Sequence, residues 1–247
     1  MKIAVVSDIH ANLIALQRVF VEIQKKAADA IWCLGDTVGY GPYPQECVDI
    51  IRSQAQICLA GNHDLAVLGK IDLAAFNPIA REAILWQRKH LTDESLAWLQ
   101  NLPSRVETAV ATLAHASPRH PIWEYIDNEE VAAENYDAFN TPIGLIGHSH
   151  LAMGWQMQRK TTQIETEHIA ETPGTPITLN LVYKWLLNPG SVGQPRDHDP
   201  RASFAMLDTE AWTWTWHRVE YDIERVEQDI MAAGLPEVLG RRLHLGW

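Results

Sequence analysis

Basic residues are scarce in this chain: its 247 residues hold 20 Lys and Arg against 31 Asp and Glu, for a formal charge of -11. A protein that tracks a long nucleic acid needs a cationic stripe to displace phosphate counterions, so the shortage excludes that partner class. A compact, local phosphate site is still compatible with it. Cysteine is scarce as well. Cys33, Cys47 and Cys58 are odd in number and show no Cys-x-x-Cys spacing, which fits a reducing compartment and thiols packed in a core. No stretch approaches the ~18 consecutive apolar residues of a membrane span. The apolar run after Lys2 is broken by Asp8 and His10 before a signal-peptide core forms, so a cytoplasmic protein is expected. Internal repeats, low-complexity tracts and linkers are also lacking, and one domain over residues 1–247 is the expectation. What the chain does have in quantity is histidine and tryptophan, 11 and 10 residues. The histidines call for a metal or an acid–base explanation.

Periodicity divides the chain into alternating strands and helices. Lys2 to Ser7, Ala30 to Leu34 and Gln56 to Ala60 read as short apolar strands, separated by helices over Asn12 to Lys26 and Pro44 to Ser53. The polar stops after these strands, Asp8, Asp36 and Asn62, are 28 and 26 residues apart, about the ~30 residues of a βαβ unit. Parallel strands joined this way end on one edge, where open α/β sheets bind ligands. Leu65 to Gln100 reads as helical, with Thr92 as a cap. Val106 to Leu113 reads as one or two strands, Asn128 to Phe139 as a helix, and Ile143 to Ile146 as a strand. Strands are expected over Leu151 to Gln158, Gln163 to Ile169, Ile177 to Leu187, Ala202 to Leu207 and Ala211 to Tyr221. Helices over Ile223 to Ala233 and Pro236 to Leu243 close the sequence. In the last strand Trp212, Trp214 and Trp216 alternate with polar residues, as on a core-facing strand.

Chemistry-bearing residues cluster where strands stop. Asp8 and His10 stand at i and i+2, and so do His148 and His150, which puts each pair on one side of an extended chain. Asp36 follows Gly35, Asn62-His63-Asp64 follow Gly61, and His115 follows the strand before it. Asp36 and Asn62 alone would be ordinary turn residues; it is the repetition at five strand ends that points to a metal centre.

In this order, D-x-H, G-D, G-N-H-[DE], H and G-H-x-H, the motifs resemble those of the calcineurin-like metallophosphoesterase family. NPGSVGQPRDHDPRAS and the ending AGLPEVLGRRLHLGW resemble its small bacterial branch, so the resemblance reaches almost the whole chain. It implies an α/β fold, a four-layer αββα sandwich of two mixed sheets flanked by helices, with two metals at the top of the sheets. It also implies that Asp8, His10, Asp36 and His150 ligate one ion and Asn62, His115 and His148 the other, with Asp36 bridging. Mixed nitrogen and oxygen donors favour divalent or trivalent Mn, Fe, Co, Ni or Zn over Mg or Ca. Such a pair acidifies a shared water and clamps phosphoryl oxygens, so metal-bound hydroxide rather than a side chain is the expected nucleophile. By the same resemblance His63 binds no metal and faces the leaving-group oxygen, as charge stabiliser or proton donor. Asp64 either holds His63 charged or caps the following helix.

Arg196 and Arg201 flank an acidic, proline-rich loop, where either can fork onto phosphate or pair with Asp197 and Asp199. Tyr40 either touches substrate or packs beneath its loop. Arg196, Tyr40 and Asn62 are the candidate substrate contacts. The leading function is a phosphodiesterase or phosphatase acting on small nucleotide-like phosphoesters; a dinucleoside polyphosphate hydrolase is the specific alternative. Protein Ser/Thr phosphatases of the family carry GDxVDRG, whereas this chain reads GDTVGYG. A non-catalytic scaffold would have lost ligands, and here each is present.

Overall fold

The computed structural model describes residues 1–247. β1 (Lys2–Val6), β2 (Ala30–Cys33) and β3 (Ile57–Cys58) run parallel, with α1 (Leu13–Lys25) and α2 (Pro44–Gln54) as the crossovers. α1 starts where the Asn12 side chain accepts from the Ala15 N–H, and α2 starts at Pro44, whose missing N–H costs nothing at a first helical position. The segment expected to be helical over Leu65 to Gln100 is three helices: α3 (Asn62–Val67), α4 (Pro78–Arg88) and α5 (Asp93–Gln100). Pro78 and the Thr92 cap impose the breaks, because each favours a helix start over a helix interior.

The second half supplies β4 (Arg105–Glu107), β5 (Ala111–Ala114), α6 (Glu129–Glu134), β6 (Ile143–Leu145), β7 (Ala152–Lys160) and β8 (Gln163–Ala170). Then follow β9 (Ile177–Thr178), β10 (Lys184–Pro189), β11 (Ala202–Asp208), β12 (Thr213–Val219), α7 (Ile223–Ala232) and α8 (Val238–Arg241). One sheet has the order β3-β2-β1-β11-β12-β9, the other β4-β5-β6-β10-β7-β8, and both are mixed. The expected strand over Ile177 to Leu187 is corrected. β9 pairs with β12 in the first sheet and β10 joins the second, with a turn between them. Asn180 makes that turn: its side-chain oxygen accepts from Val182 N–H and its carbonyl from Tyr183 N–H, both at 3.1 Å. The helix expected to reach Phe139 is likewise shorter, since α6 ends at Glu134 and a single 3₁₀ turn follows.

The inner faces of the two sheets share one apolar core, in which Val5, Trp32, Leu207, Trp214 and Trp216 meet Leu113, Leu145, Trp185 and Leu187. Outside the first sheet α1 and α2 pack on Ala4, Val6 and Phe204, and outside the second α6 packs near Trp155, Met157 and Leu186. The layers are therefore αββα. The tryptophan stripe lies between the sheets and not on the surface: Trp214 and Trp216 are 0% exposed. No helix is long and apolar enough to cross a membrane.

Trp216 also donates its Nε1–H to the Asn188 carbonyl at 2.7 Å, at the end of β10. Trp216→Ala is expected to destabilise the protein by about 3–5 kcal/mol in urea unfolding, from the cavity and the unpaired carbonyl together. A loss under about 1 kcal/mol would contradict this packing.

Candidate metal centre

Five strand ends converge at one edge of the sandwich, and backbone bonds between neighbouring loops of each sheet hold them there. Asp8 N–H donates to Gly35 C=O at 3.0 Å, and Gly147 N–H donates to His115 C=O at 2.7 Å. His148 N–H donates to Asp8 Oδ2 at 3.0 Å, joining the first loop to the last. Asp8, His10, Asp36, His148 and His150 all adopt left-handed backbone, with φ between 49° and 64°. Non-glycine residues rarely do so, and they persist in such a conformation only where the surroundings over-determine it. The loops also need close approach: a Cβ on Gly61 would lie 2.0 Å from Asp36 Oδ1, and one on Gly193 would lie 1.8 Å from Ile9 O.

The side chains form two adjoining clusters and a third that overlaps both. Asp8, His10 and His150 make one, Asp36, His115 and His148 the other, and His10, Asp36 and His63 the overlap; each set of ligand atoms falls within 4.8 Å. Main-chain carbonyls assign the tautomers. Val38 O lies 3.1 Å from His10 Nδ1, Leu34 O 2.9 Å from His115 Nδ1 and Gln194 O 2.5 Å from His150 Nδ1. Each Nδ1 therefore carries the proton, and each Nε2 keeps a lone pair aimed inward. Two of these lone pairs meet, His10 Nε2 and His150 Nε2 at 3.0 Å. His115 Nε2 stands 3.1 Å from Asn62 Oδ1, a second pairing of acceptor with acceptor. Asp36 Oδ2 lies between the clusters, 3.7 Å from His10 Nε2 and 3.5 Å from His115 Nε2. Asp8 Oδ1 and His148 Nε2 are buried without a hydrogen-bond partner. Acceptors turned on one another, each with its other nitrogen tied to a carbonyl, fit cations.

Electrostatics agree with that geometry. Burial pushes the Asp8 carboxyl up to about 7, and burial with the nearby Asp64 and Asp8 carboxylates pushes Asp36 well above its usual range. Burial lowers His115 to about 4 and holds His10 and His150 well below their usual value. The imidazoles are therefore neutral, the form that ligates metal, and the carboxylates lack a counter-charge.

Asp36, Tyr40, Asn62, His63, His148, His150 and Arg196 line a cavity of about 400 Å³, while Asp8, His10 and His115 lie behind it. The Tyr40 ring packs 4.5 Å from that of His63 and 4.7 Å from that of His10, so it both faces the cavity and supports the loop. Arg196 has no carboxylate partner. Its Nη2 donates to Gln194 Oε1 at 2.8 Å, whereas Asp197 pairs with Arg218 and Arg201 with Asp199. Of the two alternatives for Asp64, pairing with His63 is absent. Asp64 accepts backbone N–H bonds from Gly61 at 2.9 Å, Val38 at 3.1 Å and Thr37 at 3.4 Å, pinning the second and third loops together. It stands at the third position of α3, where its bond from Gly61 N–H is the side-chain contact of a capping box. His63 Nδ1 has no partner, and burial together with Arg196 holds the ring well below its usual pKa, so it is neutral.

Several lining residues receive no role from the sequence: Phe76, Trp123 and Tyr125 carry no motif, and Arg242 and Trp247 belong to the ending AGLPEVLGRRLHLGW. Gln87 receives none either. Its Oε1 accepts from Gly39 N–H at 2.5 Å and its Nε2 donates to Gly41 O at 2.6 Å, which fixes the loop that presents Tyr40.

The calcineurin-like phosphoesterase superfamily domain matches residues 1–211. The chain belongs to that superfamily. It is thus an enzyme of the phosphoester-hydrolase class. An uncharacterized protein of Methanocaldococcus jannaschii is 41% identical over 250 residues, covering 99% of this chain and 98% of its own length. The crystal structure of a metallophosphoesterase from Sphaerobacter thermophilus is similar at TM-score 0.88 and 43% identity, over 100% of this chain and 99% of that one. A symmetrical bis(5'-nucleosyl)-tetraphosphatase of Aromatoleum aromaticum is 37% identical over 81 residues, 31% of this chain and 29% of its own length.

In this phosphoesterase Gly61→Ala is expected to displace the Asp36 carboxylate, because the new methyl would occupy its oxygen position. Overpacking of this kind costs about 1–3 kcal/mol, and phosphoesterase activity should fall more than tenfold in the same variant. Wild-type stability and activity would contradict the close approach.

Proposed function

We propose that residues 1–247 form one dinuclear-metal phosphohydrolase domain, cytoplasmic, that acts on small nucleotide-like phosphoesters. The observation that carries the reading is the pair of acceptor–acceptor contacts, His10 with His150 and His115 with Asn62, on either side of Asp36 Oδ2. Asp8, His10 and His150 would hold one ion, Asn62, His115 and His148 the other, and Asp36 both. Neutral imidazoles with few carboxylates suit Mn, Fe, Co, Ni or Zn. Bound there, two cations supply Lewis-acid polarisation of phosphoryl oxygens and acidify water.

The remaining work falls to the chain. Arg196, free of acidic partners, presents a planar fork to a phosphoryl group. Asn62 directs its carbonyl oxygen toward His115 Nε2, which leaves its amide N–H groups as donors to the substrate. His63 is neutral before substrate arrives; an anionic phosphoester beside its ring raises its pKa and lets it protonate the leaving oxygen. The Tyr40 and Phe76 rings, 4.5 and 5.1 Å away, hold that imidazole in place.

Dinucleoside polyphosphate hydrolysis is the second reading, favoured by the partial match to a tetraphosphatase. The protein-phosphatase reading is weaker because Tyr40 stands where GDxVDRG has arginine. A scaffold is weaker still, since the candidate ligands and His63 meet at one site.

Excess chelator is expected to abolish hydrolysis of an aryl phosphodiester, and added Mn to restore it; full activity in chelator would overturn the metal assignment. Asp36→Asn should be nearly inactive. His63→Gln should keep its metal content by elemental analysis and lose about 10²- to 10⁴-fold in turnover, with larger losses on alkyl or nucleoside diesters than on nitrophenyl esters. Small losses that do not vary with the leaving group would remove the proton-donor role.

A further inference from the structure

The cavity extends past the candidate metal ligands, and what lies there is aromatic and cationic. Phe76 enters from the segment before α4, Trp123 and Tyr125 from the loop between β5 and α6, and Arg242 and Trp247 from the C-terminal turn after α8. The rings form a continuous wall. Phe76 lies 5.1 Å from His63 and 5.2 Å from Trp123, and Tyr125 stacks on His148 at 4.2 Å. Trp123, Tyr125 and Trp247 are 41%, 46% and 59% exposed, large apolar surfaces left uncovered around a single opening.

The wall is held rigid from behind. Between the two exposed aromatics Glu124 turns the other way, accepting from Ser117 Oγ at 2.6 Å, Asn135 Nδ2 at 2.8 Å and Arg119 Nε at 3.0 Å. A loop anchored by three donors presents Trp123 and Tyr125 at little cost in side-chain ordering. The charge is also unusual for a chain of net charge -11. Arg242 pairs with no side-chain carboxylate; its guanidinium lies 5.6 Å from the Trp247 ring centroid, and its Nε donates to the main-chain oxygen of Trp247. With Arg196, the cavity has two arginines free of side-chain carboxylates and one acidic side chain, Asp36, which faces the histidines. Arg196 suffices for the reacting phosphoryl group. Arg242 is left over.

We infer that this outer cavity is a specificity subsite for a nucleoside bearing at least two phosphates. The base stacks on the wall of Phe76, Trp123 and Tyr125, and Arg242 holds a phosphate other than the one hydrolysed. The volume of about 400 Å³ accommodates such a ligand, since sites for small molecules run from ~300 to ~1,000 Å³. Stacking tolerates any base, because every base has a π-face, so the subsite selects the nucleotide class rather than one base. The inference rests on the proposed function for its reacting phosphoryl group.

Equilibrium binding to the full, Mn-loaded chain tests it without turnover. The probes are α,β-methylene-ADP, which resists hydrolysis between its phosphates; methylenediphosphonate, which lacks the nucleoside; and adenosine 5'-phosphonate, which lacks the second phosphate. The full nucleotide is expected to bind at least tenfold tighter than either fragment probe. Trp123→Ala should erase the advantage over methylenediphosphonate. Arg242→Gln should erase the advantage over the monophosphonate, with partial recovery in Arg242→Lys. Trp123 is exposed and Arg242 half-buried, and folding of the variants is checked by their unfolding midpoints. Equal binding of the three probes, or variants that bind like wild type, would overturn the subsite. Turnover of bis(4-nitrophenyl) phosphate by the wild type is measured separately. Its absence, with nucleotide binding intact, would sink the hydrolase reading and leave the subsite standing.

Discussion

Everything at this edge of the sandwich depends on one electrostatic conflict, namely lone pairs that face lone pairs. His10 and His150 confront each other at 3.0 Å, and His115 and Asn62 at 3.1 Å. Each histidine has its proton committed to a carbonyl on the far side of the ring. Buried acceptors in contact are repulsive, and the repulsion is relieved only by positive charge between them. The left-handed backbone at Asp8, His10, Asp36, His148 and His150, the absence of a Cβ at Gly61 and the Asp64 clamp all hold that conflict in place. Beneath this strained site lies the apolar core of 18 buried residues between the two stacked sheets.

The layout of the fold explains why the conflict arises here. β1, β2 and β3 are parallel and deliver their loops to one edge, and β5 and β6 deliver His115 and His148 from the opposing sheet. The bond from Gly147 to His115 joins the two loops of the second sheet, and the cross-sheet bond from His148 N–H to Asp8 Oδ2 then closes the two half-sites into one. Neither sheet alone carries both clusters.

Much of this was legible in the sequence because the chemistry sits in short motifs at strand ends. Spacing near 28 residues predicted the parallel edge, and alternation placed Trp214 and Trp216 inward, where they are wholly buried. The less legible parts have physical reasons. Alternation tells which face a residue occupies but not which sheet its strand joins, so Ile177 to Leu187 read as one strand although Asn180 turns the chain between two sheets. Asp64 follows His63 directly, which suggests pairing, but a helical start at Asn62 sends its carboxylate back to three backbone N–H groups. Phe76, Trp123, Tyr125, Arg242 and Trp247 come from three separated segments with no shared motif, and only tertiary packing brings them to one opening. The local signs were the ending AGLPEVLGRRLHLGW, which holds Arg242 and Trp247, and Trp123-Glu124-Tyr125, an acid set between two aromatics and turned away from them.

The central claim is that two cations resolve the conflict around Asp36. Anomalous diffraction from crystals of the Mn-loaded protein tests it most directly. Two peaks are expected, one among Asp8, His10 and His150 and one among Asn62, His115 and His148, about 3.5–4 Å apart and both within coordination distance of the Asp36 carboxylate. A single peak, or peaks out of reach of Asp36, would contradict the account.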